Sequence, residues 1–341
     1  MSAPDEQDVI VVGGGISGVA CARALAEAGT PVRILERAHR VGGRMSSKPL
    51  PADTGRVVDL GAAYFTVRDE EFAGVAESWR QRGFALPWTD TLASREPDGS
   101  WSSKPGPERW CAPGGLRSLV DDLARDLRIS YGHTVTSVGP GPSVDGRAAR
   151  AVVLAMPDPQ AARLLDPALE AAAVVADRTW RPVISVALGY GRRSWEHLSL
   201  PGSSSPVGVL PRTLPLRAAF VTGHPDVDLV ADDGDRRGDL APVLVAHTTA
   251  ERARRHLDDP DGAIAPVVAA VTELLGLSDA PAWTHAHRWS YASPAEPHDG
   301  EFWIDGDLVG LCGDGWGTPK VETAWRSGTL LGRAIADRTG R

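Results

Sequence analysis

Val9-Ile-Val-Val-Gly-Gly-Gly-Ile-Ser-Gly18 decides the fold. Its apolar run reads as a buried strand, and the Ala-rich stretch that follows reads as a helix. Gly13, Gly15 and Gly18 stand between them at G-x-G-x-x-G spacing, the context that gives the spacing meaning. Gly13 allows the tight turn, Gly15 lets a pyrophosphate approach the backbone, and Gly18 lets helix pack on strand. The helix start offers unpaired N–H groups and a positive dipole end to that pyrophosphate. Val32-Arg-Ile-Leu-Glu36 supplies a second strand. Its terminal acid falls 23 positions after Gly13, near the spacing of a ribose-hydroxyl partner. The stretch therefore predicts an α/β Rossmann-type domain that binds an ADP-containing dinucleotide.

The 341 residues are 42% hydrophobic and 23% charged, an ordinary globular balance, and the length suits a second domain. A net charge of −8 argues against nucleic acid or an anionic membrane as main partner. No apolar run approaches the roughly 20 residues of a membrane span, and the acidic start lacks the basic region of a signal peptide. Cys21, Cys111 and Cys312 are odd in number and far apart, which argues against a disulfide or zinc framework and suggests a cytoplasmic protein. No metal site is expected.

Outward from the glycine turn, Val41-Gly-Gly-Arg-Met-Ser-Ser47 follows the second strand, and Val57–Thr66 reads as a strand entering a Gly-containing turn. Residues 69–111 read as short helical pieces with Trp-bearing loops. Leu116, Leu119, Val120, Leu123 and Leu127 mark one face of a helix. Strands are expected at 134–138, 151–156, 183–188, 218–221 and 243–247, and helices at 249–257 and 263–275, with Gly276 as C-cap. At the end, Leu308–Cys312 is strand-like, Gly313–Gly317 a turn, and Thr318-Pro319 the N-cap and first position of a last helix. The predicted division is 1–68, 112–160 and 301–341 for the dinucleotide domain, with 69–111 and 161–300 as an α+β substrate domain.

Together, G13xGxxG18, Gly42-Gly43-Arg44, Val-Val-Leu-Ala-Met156-Pro and the Gly313-Asp314 turn resemble the flavin-containing amine oxidase superfamily, with its Rossmann-type (GR2) FAD domain. Gly61-Ala-Ala-Tyr-Phe-Thr-Val-Arg68, His247-Thr-Thr and His287-Arg-Trp-Ser-Tyr-Ala292 are similar to the signatures of renalase-like oxidases within it. The resemblance implies noncovalent FAD. It places the turn of Gly13, Gly15, Ile16, Ser17 and Gly18, with Arg44, near the pyrophosphate, and Glu36 at the adenosine ribose. Val135 would meet the adenine edge through its backbone, and Arg37, Gly43 and Met156 are further cofactor contacts. Gly61, Ala62, Ala63 and Tyr64 would run along the isoalloxazine, with Asp314, Lys320 and Val321 at the C-terminal turn. Ala63 stands where renalase-like chains often carry an amide, which leaves the substrate open.

Tyr64, His247, Trp289, Tyr291 and Trp316 are the candidate catalytic-pocket residues, with Trp110 as a further aromatic and Arg288 as a candidate anchor for an anionic group. There is no second dinucleotide motif and no cysteine pair, so the expected chemistry is hydride transfer from a small substrate to the flavin. Dioxygen would then reoxidise the flavin, giving hydrogen peroxide. Three readings stand: oxidation of dihydronicotinamide (NAD(P)H isomer) substrates, oxidation or desaturation of another small metabolite such as an amine, and a flavin-carrying binding protein. Oligomeric state is not legible.

Overall fold

The computed structural model describes residues 8–52, 54–195, 197–199 and 213–340. Two sheets organise them. The first has six strands in the order Trp303–Ile304, Val309–Leu311, Ala151–Leu154, Val9–Val12, Val32–Glu36, Ile129–Tyr131, all parallel except the antiparallel edge at Trp303–Ile304. Val9–Val12 and Ala151–Leu154 are buried throughout, as expected for central parallel strands covered on both faces.

The first helix, Ile16–Glu27, lies against the last, Val321–Thr339, and small residues allow the contact. A Cβ on Gly328 would stand 1.9 Å from the Ser17 carbonyl oxygen, and one on Gly332 would stand 2.5 Å from that of Cys21. The two ends of the chain therefore meet backbone to backbone beside the glycine turn.

The second sheet has eight strands, ordered Trp283–Pro294, Trp180–Gly189, Val243–Thr248, Val227–Asp232, Ala218–Val221, Leu86–Arg95, Trp101–Cys111, Phe65–Thr66. Alternation sorts its side chains. Ile184, Val186, Leu188, Val230, Leu244 and Ala246 pack on the helices Ala250–Arg255 and Ile264–Leu275. Ala187, Leu229, Ala231 and Val245 point the other way, toward Val58, Leu60 and Ala63 of the first half. The candidate site lies on that second face.

Several elements depart from expectation. Residues 69–111 form one helix, Glu70–Gln81, and a long hairpin of Leu86–Arg95 with Trp101–Cys111 rather than helical pieces and loops. The signal for that hairpin is its turn at Pro97-Asp98-Gly99, with Gly99 at φ +86°. Residues 134–137 are not a strand; the sheet takes Ile129–Tyr131 instead, and only Val138–Gly139 pairs locally. The helix after Gly115 is shorter than its apolar stripe, Arg117–Leu123. The last helix starts at Val321 with Lys320 as N-cap, so Thr318 and Pro319 lie before it. Gly276 caps its helix at φ +62°, as expected. Among the described residues no helix is long and apolar enough to cross a membrane, and no cluster of ligating side chains suits a metal.

Candidate functional site

The site begins at the turn between Val9–Val12 and the first helix. Gly13 sits at φ +110°, in the region that favours glycine, with the Ala155 carbonyl oxygen 2.7 Å from where a Cβ would be. Gly18 is closed in by Gly13. At Gly15, by contrast, a Cβ would meet nothing within 4 Å. The glycine there is not demanded by packing, so the free space is open to a ligand. Ile16, Ser17 and Gly18 form the buried first turn of the helix. The Ser17 hydroxyl is buried with no oxygen or nitrogen partner, and only the Cys312 thiol lies beside it. It belongs to the same first turn of the helix as Ile16 and Gly18.

Glu36 is held in register with this turn. Its Oε2 accepts the Gly14 N–H at 2.6 Å and its Oε1 accepts the Ala38 N–H at 2.7 Å. A carboxylate has about four lone-pair sites, so capacity remains for ribose hydroxyls. Arg37 is exposed. The Gly42 N–H donates to the Gly14 carbonyl at 2.8 Å, laying the second glycine turn along the first, and Gly43 faces the Gly15 Cα. Val135 is buried and Met156 is half-buried, both in the apolar cluster that contains Ile10, Val12 and Leu35. The space at Gly15, the Ser17 hydroxyl and the poised Glu36 carboxylate fit an ADP moiety.

Arg44 leaves the second glycine turn and crosses to the C-terminal turn. Its Nη1 and Nη2 donate to Asp314 Oδ2 and Oδ1 at 2.8 and 2.5 Å, and Nη1 also donates to the Ala292 carbonyl at 3.0 Å. The guanidinium lies 5.1 Å over the Trp180 ring. Trp180 Nε1 donates to Asp158 Oδ2 at 2.8 Å, and the other oxygen of Asp158 meets His298 Nε2 at 2.9 Å. His298 in turn stacks on Trp316, with centroids 4.1 Å apart and planes within 13°. Sequence reasoning missed Asp158, Trp180 and His298. No local motif marks them, and their hydrogen-bond partners lie 22 to 140 positions away. Lys320 and Val321 are half-buried at the start of the last helix.

The loop after Val57–Asp59 threads between the halves. The Ala62 N–H donates to the Arg44 carbonyl at 2.9 Å, and a Cβ on Gly61 would stand 1.8 Å from that oxygen. Trp289 Nε1 donates to the Leu60 carbonyl at 2.7 Å and approaches Ser185 Oγ at 3.2 Å. Ala63 is buried and Tyr64 half-buried among Trp88, Cys111 and Leu229, with the Arg109 guanidinium 5.6 Å over the tyrosine ring. Across the sheet, Leu229, His247, Ser185 and His287 stand in one register row. The His287 ring meets Trp289 edge-on at 4.4 Å.

His247 therefore belongs to the wall facing the loop. Desolvation, then the Arg236 guanidinium, lowers its pKa from 6.5 to about 4. Burial, then Lys48 and neighbouring His285 and Arg288, lowers that of His287 to about 4. Both imidazoles are neutral near pH 7, when each can accept or donate a hydrogen bond without carrying charge.

The remaining candidates have partners of their own. The Tyr291 hydroxyl accepts from Arg163, whose guanidinium also covers its ring. Trp316 is 7% exposed and fixed by His298. Trp110 stacks on Phe65 in the main core. Arg288 points away from the row and donates to the Leu257 carbonyl.

Comparisons with known proteins extend this geometry. A model of NAD(P)-binding Rossmann-like domains matches residues 11–84, and one of flavin containing amine oxidoreductases matches residues 76–329. A flavin-containing amine oxidase of Oncorhynchus mykiss is 45% identical over 64 residues, 19% of this chain and 12% of that one. The (S)-6-hydroxynicotine oxidase of Paenarthrobacter nicotinovorans is 47% identical over 57 residues, 17% and 13% of the two. The chain thus matches only about an eighth of the length of these curated relatives.

Among solved structures, cyclohexylamine oxidase from Brevibacterium oxydans IH-35A aligns with a TM-score of 0.72 at 16% identity, covering 99% of this chain and all of that one. Wild-type putrescine oxidase bound to putrescine aligns at 0.69 and 16%, covering 98% and 99%. At such identities the likeness is one of fold. The second family model spans most of the sequence, including the strand wall and the Asp314 turn, and the first covers the glycine turn, Glu36, Arg44 and the loop 60–64. The chain belongs to the flavin containing amine oxidoreductases, and FAD is the cofactor of its dinucleotide cradle.

Proposed function

We propose that this oxidoreductase acts on a small, uncharged, electron-rich ring, namely the dihydronicotinamide of an NAD(P)H isomer, and returns it to NAD(P)+ in the manner of renalase-like oxidases. The observation that carries the reading is the charge of the wall facing the loop 60–64. Leu229, His247, Ser185, His287 and Trp289 include no acid, and both imidazoles are neutral. The carboxylates around the site are already paired, Asp314 with Arg44 and Asp59 with Arg237.

FAD, when bound, supplies a hydride acceptor at N5 and passes both electrons to dioxygen, giving hydrogen peroxide. The chain's residues do the rest. Arg44 and Asp314 fix the junction of the two terminal motifs. Tyr64 and Trp289 bound the space beside the loop and exclude water from it. His247 and His287 offer neutral hydrogen-bonding groups to a carboxamide. A dihydropyridine that gives up hydride becomes a pyridinium and releases no proton, so it needs no strong base. A primary amine arrives as a cation and must lose a proton, and this wall offers neither a counter-charge nor a strong base for it.

The fold relatives named for cyclohexylamine and putrescine keep amine oxidation as the second reading. Anaerobic mixing of the FAD-loaded protein with borohydride-generated NADH isomers, and separately with those two amines, decides between them. Rapid bleaching by the isomers with release of NAD+, followed by peroxide on admission of air, is the expected result. Bleaching by the amines alone would overturn the proposal.

A further inference from the structure

We propose that Arg236 is a positioning residue that clamps the loop 59–63 in the conformation needed along the flavin ring; the assignment rests on the reading that this loop lines the isoalloxazine. Arg236 belongs to the short helix Asp233–Arg237, which follows the strand Val227–Asp232, and is 2% exposed. A buried guanidinium ordinarily spends its donors on carboxylates. Arg236 gives Nε to Asp233 Oδ1 at 2.8 Å, and its two terminal nitrogens also reach main chain. Nη1 donates to the Ala63 carbonyl at 2.9 Å and Nη2 to the Asp59 carbonyl at 2.8 Å.

Those two carbonyls are the two ends of the loop. Its middle is held from the opposite side, where the Ala62 N–H reaches the Arg44 carbonyl and Gly61 lies flush against it. Three points, two from Arg236 and one from Arg44, leave the segment no freedom to slide. Only a rigid planar fork reaches two carbonyls at once, which a lysine ammonium on a flexible stem does not reproduce.

The clamp is anchored in turn. Asp233 also pairs with Arg237 at 3.2 Å and Arg56 at 2.7 Å, and Arg237 reaches Asp59 at 2.9 Å. Burial alone would raise the Asp233 pKa, but Arg236, Arg237 and Arg56 outweigh it and hold the carboxyl below its usual range. Asp59 Oδ1 further accepts the Leu116 N–H and the Ser47 hydroxyl. Arg236 also faces His247 closely enough to oppose its protonation. One side chain therefore holds the loop and, with burial, keeps His247 opposite it uncharged.

Arg236→Lys keeps the charge beside Asp233 and loses the fork, whereas Arg236→Met loses both. In the full-length protein, Arg236→Lys is expected to fold, to bind FAD about tenfold more weakly, as when one hydrogen bond to a charged group is lost, and to shift the visible spectrum of the bound flavin. The rate of flavin reduction should fall with KM nearly unchanged. Arg236→Met should in addition raise the His247 pKa, read by imidazole NMR. If Arg236→Met does not fold, Arg236→Lys alone decides the matter.

Wild-type FAD affinity and flavin spectrum in Arg236→Lys, with only the melting temperature lowered, would overturn the proposal. Affinity and spectrum are read without substrate. Failure of NADH isomers to bleach the wild type would therefore count against the dihydronicotinamide reading and leave this test intact.

Discussion

Arg44 and Asp314 lie 270 positions apart and form a two-pronged ion pair, with N–O distances of 2.8 and 2.5 Å. One comes from the turn after the second strand, the other from the turn before the last helix. The pair ties the two dinucleotide-associated ends of the sequence together at one point, with Trp180 beneath the guanidinium. Geometry of this kind suits arginine, whose planar fork matches a carboxylate.

Arg44→Met should therefore cost more than a surface ion pair would. It strands the Asp314 carboxylate, whose side chain is only 12% exposed, at a cost of about 2 kcal/mol after allowing for partial solvation. Thermal melts should show the drop in the apoprotein, with a further loss of FAD affinity. The double variant Arg44→Met with Asp314→Asn should recover part of the stability. A single variant that melts like wild type would contradict the role given to the pair.

Gly15→Val and Gly328→Val separate ligand space from packing space. A Cβ at Gly15 meets nothing in the protein within 4 Å, so the apoprotein should keep its melting temperature while FAD retention is abolished. At Gly328 the same atom would lie 1.9 Å from the Ser17 carbonyl oxygen. There the two helices must part, and destabilisation of about 3 kcal/mol or more is expected. Denaturant titration and FAD titration of each variant check both statements, and a yellow Gly15→Val protein with full flavin content would refute the placement of the phosphates.

Acid should weaken the fold through its histidines. His247 and His287 titrate near 4 in the native state, against 6.5 for an unperturbed imidazole, because burial disfavours their charged forms. Between those values the unfolded chain binds more protons, so stability rises with pH across the window and is fully present above it. Melting temperature should fall as pH drops from about 6.5 toward 4, and His247→Gln should flatten that slope. An unchanged slope in the variant would contradict a neutral buried His247.

Asp158→Asn should disturb the site without touching the cofactor motifs. The carboxylate holds the Trp180 indole and the His298 imidazole, and His298 holds Trp316 by stacking. Loss of a hydrogen bond to a charged group costs about 2 kcal/mol. Tryptophan fluorescence should change as Trp180 and Trp316 loosen. An emission spectrum identical to wild type would show that Asp158 does not organise this layer.

The nucleotide half is legible in the sequence because its constraints are local. Gly13, Gly15, Gly18 and Glu36 act within 23 positions of one another. The hairpin at 86–111 is harder to see, because its Trp residues resemble loop markers although they lie on paired strands. Arg236, Asp158 and His298 are invisible for another reason. Each is tied to a group that no local motif links to it, as in the 173 positions between Arg236 and Ala63 and the 140 between Asp158 and His298. Tyr291 and Trp316 read as pocket aromatics in the sequence, yet in the fold their rings are committed to Arg163 and His298.

Titration of the flavin-free full-length chain with FAD, followed by calorimetry and by the visible spectrum, tests the convergence of the two ends most directly. One FAD per chain, bound tightly by the wild type and lost in both Gly15→Val and Asp314→Asn, is the predicted result. A chain that folds but takes up no FAD, or one that binds it equally well after both substitutions, would contradict a cradle shared by the two ends.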